Sequence, residues 1–175
     1  MCSFQTPRLR LVPATAHHIA CERDRHLELA RLLNCRVPSS WPPTSVRDVL
    51  EIFETTLRER PDEVGWHTWY WIARESQPEI LVGSGGFKGP PEQADTVEIG
   101  YGTLEAFQGR GFATEAVIAL TRHALKQPGV FRVIADCHVE NAPSLRVLAK
   151  CGFKEVGPGG EVGTWRFELK YSWVA

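Results

Sequence analysis

The segment of residues 96–139 places the tightest limit on how this chain can fold. Its first part, Thr96–Leu104, alternates apolar and polar residues and predicts a strand. A glycine-containing turn then opens an apolar stripe of helical period that Pro128-Gly129 ends, and Phe131–Val139 predicts another strand. Because a helix between two strands of one sheet implies a crossover connection, this part of the sheet is expected to be parallel.

The rest of the chain predicts strands that follow one another directly, and such strands favour antiparallel pairing. We therefore expect a single α/β (α+β) domain over residues 1–175 with a mixed sheet. Asn141 is placed to cap a short helix, and Gly152 is placed to end it in a left-handed conformation. The other predicted elements are strands at Arg8–Val12, Thr68–Arg74, Glu79–Phe87 and 165–173, and helices over about Ala16–Leu33 and from Thr44 or Ser45 to about Arg60.

Composition excludes several classes of protein. The 175 residues are 43% hydrophobic and 23% charged, with a formal net charge of -1, which suits one domain with a substantial core. Without a basic excess, neither nucleic acid nor an anionic membrane is expected as a partner. No apolar run is long enough to span a bilayer, and Met1–Pro13 lacks the apolar stretch of a signal peptide. We therefore expect a cytoplasmic protein.

The cysteines suggest reduced thiols and no metal site. They are odd in number, widely spaced and without a Cys-x-x-Cys pair, a pattern that favours free thiols. A zinc site needs clustered ligands, and His17-His18 alone is a poor candidate. Neither Cys137 nor Cys151 has an evident His-Asp arrangement, so no covalent acyl-enzyme is expected. The five cysteines are Cys2, Cys21, Cys35, Cys137 and Cys151.

The turn Gln108–Ala113 is the best candidate for a ligand site. Gly109 and Gly111 let the backbone turn tightly and expose its N–H groups, and the helix that follows adds unpaired N–H groups and the positive end of its dipole. Together these groups suit an anion such as a pyrophosphate, to which Arg110 can add charge. The alternative is a tight turn that carries two glycines and binds nothing.

Two other nucleotide motifs fit this turn poorly. A Walker loop requires a lysine that is missing here. A dinucleotide fingerprint requires a third glycine where Thr114 stands, and an acidic residue nearer than Asp136. A nucleotide-binding protein without acyl chemistry is therefore the weaker hypothesis.

Several motifs, taken in their order and spacing, resemble the GNAT superfamily of N-acetyltransferases, and most closely its branch of ribosomal-protein N-terminal acetyltransferases. The likeness covers nearly the whole chain. It implies a mixed sheet that is splayed between its fourth and fifth strands, helices on both faces, and acetyl-coenzyme A as the acetyl donor. The motifs are Thr6–Leu11, Glu98-Ile99-Gly100-Tyr101, Gln108–Ala116, Asn141–Ser144 and Lys150–Phe153.

The resemblance also implies which residues bind the cofactor. The backbone of the glycine turn is expected to hold the pyrophosphate, and the pantetheine arm is expected to enter the gap in the sheet. The residues assigned in this way are Thr103, Leu104, Gln108, Gly109, Arg110, Gly111, Phe112, Ala113, Thr114, Asn141 and Ser144.

Two residues are candidates for catalysis. Glu98 alternates away from its apolar neighbours and is the candidate base for the acceptor amine; the alternative is a carboxylate that pairs structurally with an arginine or caps the backbone. Ser144 is the candidate hydrogen-bond donor to the leaving thiolate, because residues 145–150 lack the tyrosine that many members of the superfamily have there. The alternative for Ser144 is a first-turn residue that bonds to backbone.

The resemblance predicts direct transfer of an acetyl group to a primary amine, either a protein N-terminus or a small molecule. The oligomeric state is expected to be a monomer or a homodimer. A non-catalytic acyl-coenzyme A sensor on the same fold is the alternative, and it would keep the turn but need neither Glu98 nor Ser144.

Overall fold

The structure is a computed structural model, and it describes residues 2–47, 49–91 and 95–170. Residues 171–173 of the predicted last strand lie outside these ranges. The strands are β1 (Phe4–Gln5), β2 (Leu9–Pro13), β3 (Thr68–Ala73), β4 (Ile80–Phe87), β5 (Thr96–Thr103), β6 (Arg132–His138), β7 (Lys154–Pro158) and β8 (Thr164–Lys170). The helices are α1 (Ala16–Glu22), α2 (His26–Leu33), α3 (Thr44–Arg47), α4 (Leu50–Glu59), α5 (Phe112–Leu125) and α6 (Ala142–Lys150).

All eight strands form one sheet in the order β1-β2-β3-β4-β5-β6-β8-β7. Neighbouring strands are antiparallel except β5 and β6, which are parallel and joined by α5. This arrangement confirms the predicted mixed sheet with its crossover through the helix that follows the glycine turn.

Helices cover both faces of the sheet, as predicted. The strand β3 shows why, because it is buried on both sides. Trp69 and Trp71 pack into a core that includes residues of α5 and α6. Tyr70 and Ile72 point the other way, into a core formed with α1, α2 and α4. A strand whose two faces are both apolar requires a layer of helix on each side.

The predicted helix over Ala16–Leu33 is wrong in its continuity, because the chain leaves the helix between Glu22 and His26. Arg25 has φ -118° and ψ 47°, which lies outside the helical region. The ring of His26 donates to the carbonyl oxygen of Glu22 over 2.8 Å. A side chain thus satisfies this carbonyl in place of a backbone N–H. The second predicted helix is likewise divided, into α3 and α4.

None of the helices in the described ranges combines the length and the apolar character that crossing a membrane would require.

Candidate active site

The sheet splits between β5 and β6. Their parallel pairing joins Thr96–Glu98 to Arg132–Ile134 and stops there. Beyond that point β5 keeps its pairing with β4 as far as Thr103, while β6 stays paired with β8 to His138. The two halves of the sheet therefore diverge, which confirms the predicted splay. β5 and β6 are the fourth and fifth predicted strands, because the two-residue β1 is not among those predicted.

The split opens into a cavity of about 360 Å³, which we call the split cavity. It collects residues from the end of β5, from the glycine turn and from the start of α6. Among the residues assigned to the cofactor by resemblance, those that line it are Thr103, Gln108, Gly109, Gly111, Phe112, Ala113, Thr114, Asn141 and Ser144. The structure thus brings together residues from three separate parts of the sequence.

The glycine turn presents unpaired backbone N–H groups. Gly109 and Gly111 have φ of 72° and 82°, a left-handed conformation that glycine adopts without a steric penalty. Nothing in the described part of the chain accepts a hydrogen bond from the N–H groups of residues 109–114. The last three of these groups belong to the first turn of α5 and carry the positive end of its dipole. Such an arrangement fits a pyrophosphate.

A partly buried ion pair holds this turn against the start of the sheet. The carboxylate of Glu115 accepts hydrogen bonds from the backbone N–H of Arg8 at 2.8 Å, from its Nε at 2.7 Å, and from the Thr6 hydroxyl at 2.5 Å. Arg8 also donates to the carbonyl oxygen of Arg110 at 2.9 Å. Burial acts to raise the pKa of Glu115, but these hydrogen bonds and the Arg8 charge outweigh it, and the pKa is lowered.

Two of the residues assigned to the cofactor lie outside the split cavity. Leu104 is 3% exposed and packs in the core on the α1, α2 and α4 face. The guanidinium of Arg110 lies 5.1 Å from the centre of the Phe112 ring and 3.4 Å from Glu75. The role of these two side chains in the cofactor site is therefore not supported by their positions.

The positive charge inside the split cavity comes from α6 instead. Arg146 and Lys150 line the cavity, and they lie four residues apart, on one face of the helix. Neither has an ion-pair partner within residues 2–47, 49–91 and 95–170. The sequence analysis did not identify Arg146 and Lys150. Their spacing of four residues, on the helix that Asn141 caps, could have indicated two cations on one helix face.

Ser144 forms a hydrogen-bonded pair with Tyr101, across the split. The two hydroxyl oxygens are 2.9 Å apart, and the Tyr101 hydroxyl also donates to the Ser144 carbonyl oxygen at 3.3 Å. Asn141 caps α6 by accepting from the Ser144 N–H at 3.2 Å, as predicted. Burial raises the pKa of Tyr101, and the hydrogen bond with Ser144 only partly opposes that rise. The phenol therefore keeps its proton at neutral pH and can act as a donor.

Sequence reasoning missed Tyr101 as a site residue, although it lies in one of the motifs that carry the resemblance. Tyr101 brings a phenol to Ser144 from β5, whereas residues 145–150 of α6 contain no tyrosine. The pairing of a strand residue with a helix residue depends on how the sheet splits, which local sequence does not show.

Glu98 lies at the other end of β5, in a second and larger cavity of about 880 Å³ that we call the Glu98 groove. The groove is lined by residues of α4, β5, β6, β7 and β8 and of the loops beside them. The Glu98 carboxylate is paired with Lys88 through Oε1, and its side chain is 21% exposed. The structure therefore places the two candidate catalytic residues in different cavities along one strand.

The cysteine thiols near the split are poor nucleophiles. Burial raises the pKa of Cys151 to about 11, so its thiol stays protonated at neutral pH. Its Sγ lies 3.7 Å from the carbonyl oxygen of Thr114. Cys137 is buried, with its Sγ 3.5 Å from the carbonyl oxygen of His138. All five cysteines are free.

Comparison with known families gives the class of this protein. Residues 8–154 match the acetyltransferase (GNAT) domain family, and the chain belongs to that family. It is therefore an acyltransferase of the N-acetyltransferase class.

Individual relatives agree with this class. The chain is 25% identical to the uncharacterized N-acetyltransferase YjdG of Bacillus subtilis over 170 residues. This alignment covers 97% of this chain and 100% of YjdG. The chain is 30% identical over 89 residues to the ribosomal-protein-serine acetyltransferase of Escherichia coli, covering 51% of this chain and 48% of that protein. The structure of the microcin self-immunity acetyltransferase MccE, in complex with acetyl-CoA and AMP, has a TM-score of 0.64 at 16% identity and covers 95% of this chain and 94% of that one. At that identity the likeness establishes the fold.

Proposed function

We propose that this protein transfers an acetyl group from acetyl-coenzyme A directly to a primary amine. One observation carries the proposal: Gly109 and residues 111–114, whose backbone N–H groups are unpaired, line the same cavity as the Tyr101–Ser144 pair. An anion site and a hydroxyl donor are thus placed along one cavity, which is what a long phosphorylated thioester requires. The acetyl-CoA in the MccE complex supports the same donor for this fold.

The chain offers a partner for each part of this donor. The N–H groups of the glycine turn suit the pyrophosphate, and Arg146 and Lys150 add positive charge beside it. The edge of β5 that faces the split has backbone groups free to pair with the amides of the pantetheine arm. When bound, acetyl-coenzyme A supplies the thioester from which the acetyl group is transferred.

The acceptor must present a neutral amine. For a lysine-type amine with a pKa of about 10.4, the neutral form costs about 4 to 5 kcal/mol at pH 7, whereas a peptide α-amine of pKa about 8 costs about 1.4 kcal/mol. A base therefore matters more for the first kind of acceptor. Since Lys88 binds Oε1 of Glu98, the amine proton is assigned to Oε2 of Glu98.

Tyr101 and Ser144 are assigned to the leaving sulfur. Ser144 is the candidate donor, and the Tyr101 hydroxyl positions the Ser144 hydroxyl from across the split. Because the Tyr101 phenol keeps its proton, the pair can deliver a hydrogen bond to a developing thiolate without either group being ionised first. This role replaces the tyrosine that other superfamily members carry further along the helix.

The acceptor is either a protein N-terminus or a small-molecule amine. The named activity of the Escherichia coli relative on a ribosomal protein supports the first. The open shape of the Glu98 groove is compatible with both.

The test separates turnover from binding. Glu98→Gln and Ser144→Ala are compared with wild type for coenzyme A release over a panel of amines, and for acetyl-CoA affinity by calorimetry. We expect each variant to lose about a hundredfold in kcat, with acetyl-CoA affinity within about threefold of wild type. Glu59→Gln and Ser40→Ala, at exposed positions outside both cavities, serve as matched controls.

Other outcomes point to other functions. Wild-type protein that binds acetyl-CoA tightly but acetylates no amine would favour the sensor. Wild-type protein that fails to bind acetyl-CoA would refute the proposal altogether.

A further inference from the structure

The Glu98 groove has apolar side chains that face water. Ile52 of α4 is 63% exposed and Val156 of β7 is 54% exposed, and both line the groove. Phe53, next to Ile52, also lines it and packs against the His67 ring with 5.2 Å between ring centres. Exposed apolar groups that are gathered on the walls of one groove suit an apolar ligand better than water.

The carboxylates of the groove are already bound by cations of the chain itself. A cationic ligand that relied on one of them would have to displace a resident arginine or lysine. The pairs are Glu63 with Arg60 at 2.6 Å, Glu98 with Lys88, and Glu168 with Arg132 at 3.4 Å.

The remaining charges do not favour a polycation either. Arg166 adds a further cation to the groove, where Asp136 holds it through two contacts of 2.8 Å. Among the lining residues that the structure describes, four are lysine or arginine and three are carboxylates. A ligand with several ammonium groups would therefore gain little from the field of this groove.

We infer that the Glu98 groove is the acceptor site and that it takes a primary amine with an apolar substituent and no second positive charge. This inference rests on the proposed function and narrows its acceptor. The apolar substituent lies against Ile52 and Val156, and the amine is directed toward Glu98, the last residue of β5 before the split. Polyamines and peptides with basic residues near the N-terminus are excluded from efficient turnover.

The transfer balances without any further reactant. The neutral amine nitrogen forms the new bond to the acetyl carbonyl carbon, and the carbon–sulfur bond of the thioester breaks. One amine proton passes to Glu98 and from there to water. The sulfur leaves with the electron pair of the broken bond and takes up a proton, so that the products are the amide and the free thiol.

The first experiment compares acceptors on the full chain. Coenzyme A release is measured with 2-phenylethylamine, with spermidine, and with a peptide whose free N-terminus is followed by two arginines. We expect kcat/KM for 2-phenylethylamine to exceed that for the other two by about tenfold or more, in line with the selectivity that a small apolar contact provides.

A pair of matched variants tests the exposed apolar side chains that line the Glu98 groove. Ile52→Ser is expected to lower kcat/KM for 2-phenylethylamine by about tenfold, and to leave acetyl-CoA affinity unchanged. Leu27, on α2 and outside the groove, is an aliphatic side chain that is 80% exposed and serves as the control. Leu27→Ser is expected to change neither kcat/KM for 2-phenylethylamine nor the affinity for acetyl-CoA.

A binding measurement keeps the inference open to refutation without turnover. With coenzyme A present, 2-phenylethylamine is titrated into protein labelled at the isoleucine methyl groups, and the signals of Ile52 and Ile134 are expected to shift while that of buried Ile19 does not. Unmoved Ile52 and Ile134 signals, or a preference for spermidine or the basic peptide, would overturn the inference while the N-acetyltransferase activity stands. Absence of acetyl-CoA binding would instead remove the proposed function and this inference together.

Discussion

Replacing Gly109 by alanine tests whether the shape of the glycine turn creates the anion site. Gly109 has φ 72°, and a Cβ added there would meet no heavy atom within 4 Å. The substitution therefore introduces backbone strain without a clash. A left-handed conformation costs an alanine about 1–2 kcal/mol. We expect Gly109→Ala to lower the free energy of unfolding by about that amount, which corresponds to a fall in Tm of about 2–8 °C.

Gly129 provides a matched control for this strain. It has φ 83°, and a Cβ added there would also meet nothing within 4 Å, but it lies after α5 and away from the split cavity. Gly129→Ala is expected to lose the same stability as Gly109→Ala. Any difference between the two variants in ligand affinity must then come from the position in the turn and not from strain as such.

The expected difference is large enough to measure. If Gly109→Ala relieves its strain by rotating the turn, at least one N–H is turned away from the pyrophosphate. A hydrogen bond to a charged group contributes about 1.5–3 kcal/mol, which corresponds to about ten- to hundredfold in Kd for acetyl-CoA. Calorimetry with acetyl-CoA measures this directly. Wild-type affinity in Gly109→Ala, or an equal loss in Gly129→Ala, would refute the assignment of the turn to the pyrophosphate.

Two further predictions concern carboxylates with shifted pKa values, the partly buried Glu115 and the buried Glu22. Glu115→Gln is expected to lower the free energy of unfolding by about 2 kcal/mol at pH 7 and to weaken acetyl-CoA binding. Because the pKa of Glu115 is lowered in the folded state, the carboxylate stabilises the fold at pH values above its unfolded pKa. In chemical denaturation, the difference in stability between variant and wild type should therefore disappear as the pH falls through the folded pKa. Glu22 behaves in the opposite way, because burial raises its pKa from 4.5 to about 7. The native state then binds the proton more tightly than the unfolded state does, so the stability of the wild type falls by about 3 kcal/mol as the pH rises from 4.5 to about 7. Glu22→Gln should remove this slope, and a variant that keeps the wild-type slope in chemical denaturation at pH 5 and pH 8 would contradict the reasoning.

The topology and the conformation of the glycine turn could be predicted because both depend on short stretches of sequence. The turn Gln108–Ala113 sets its own conformation through two glycines, and the helix it starts supplies N–H groups whatever surrounds it. The order of strands and helices is read from local periodicity, and it allows few topologies once Thr96–Leu104 and Phe131–Val139 are joined by a helix.

The features that were not predicted depend on residues far apart in the chain. Glu115 bonds to Arg8 across 107 positions, and Tyr101 meets Ser144 across 43. Glu22, the last residue of α1, likewise accepts a hydrogen bond from the Tyr70 hydroxyl, 48 positions further on. Tertiary contacts of this kind can override helical periodicity, and local sequence patterns do not predict them.

Glu98 shows how such contacts limit the assignment of roles. The alternation along β5 correctly predicts that Glu98 lies on the opposite face from the buried Val97 and Ile99. The sequence does not indicate that Lys88 pairs with the Glu98 carboxylate. The pairing resembles the structural alternative considered for this residue, with a lysine in place of an arginine. Both readings remain compatible with the groove, and the Glu98→Gln measurement decides between them.

The division of the site along β5 has a consequence for specificity. The split cavity is built mainly from one continuous turn and the start of α6, whereas the Glu98 groove takes side chains from several helices and strands. If the groove binds the acceptor as we propose, substitutions there alter acceptor preference without touching the backbone that is proposed to bind the donor. Variants such as Ile52→Ser should accordingly change KM for the amine and leave Kd for acetyl-CoA as it is. A groove variant that changed both constants together would show that the two cavities are energetically coupled through β5, and the donor and acceptor sites could no longer be treated as independent.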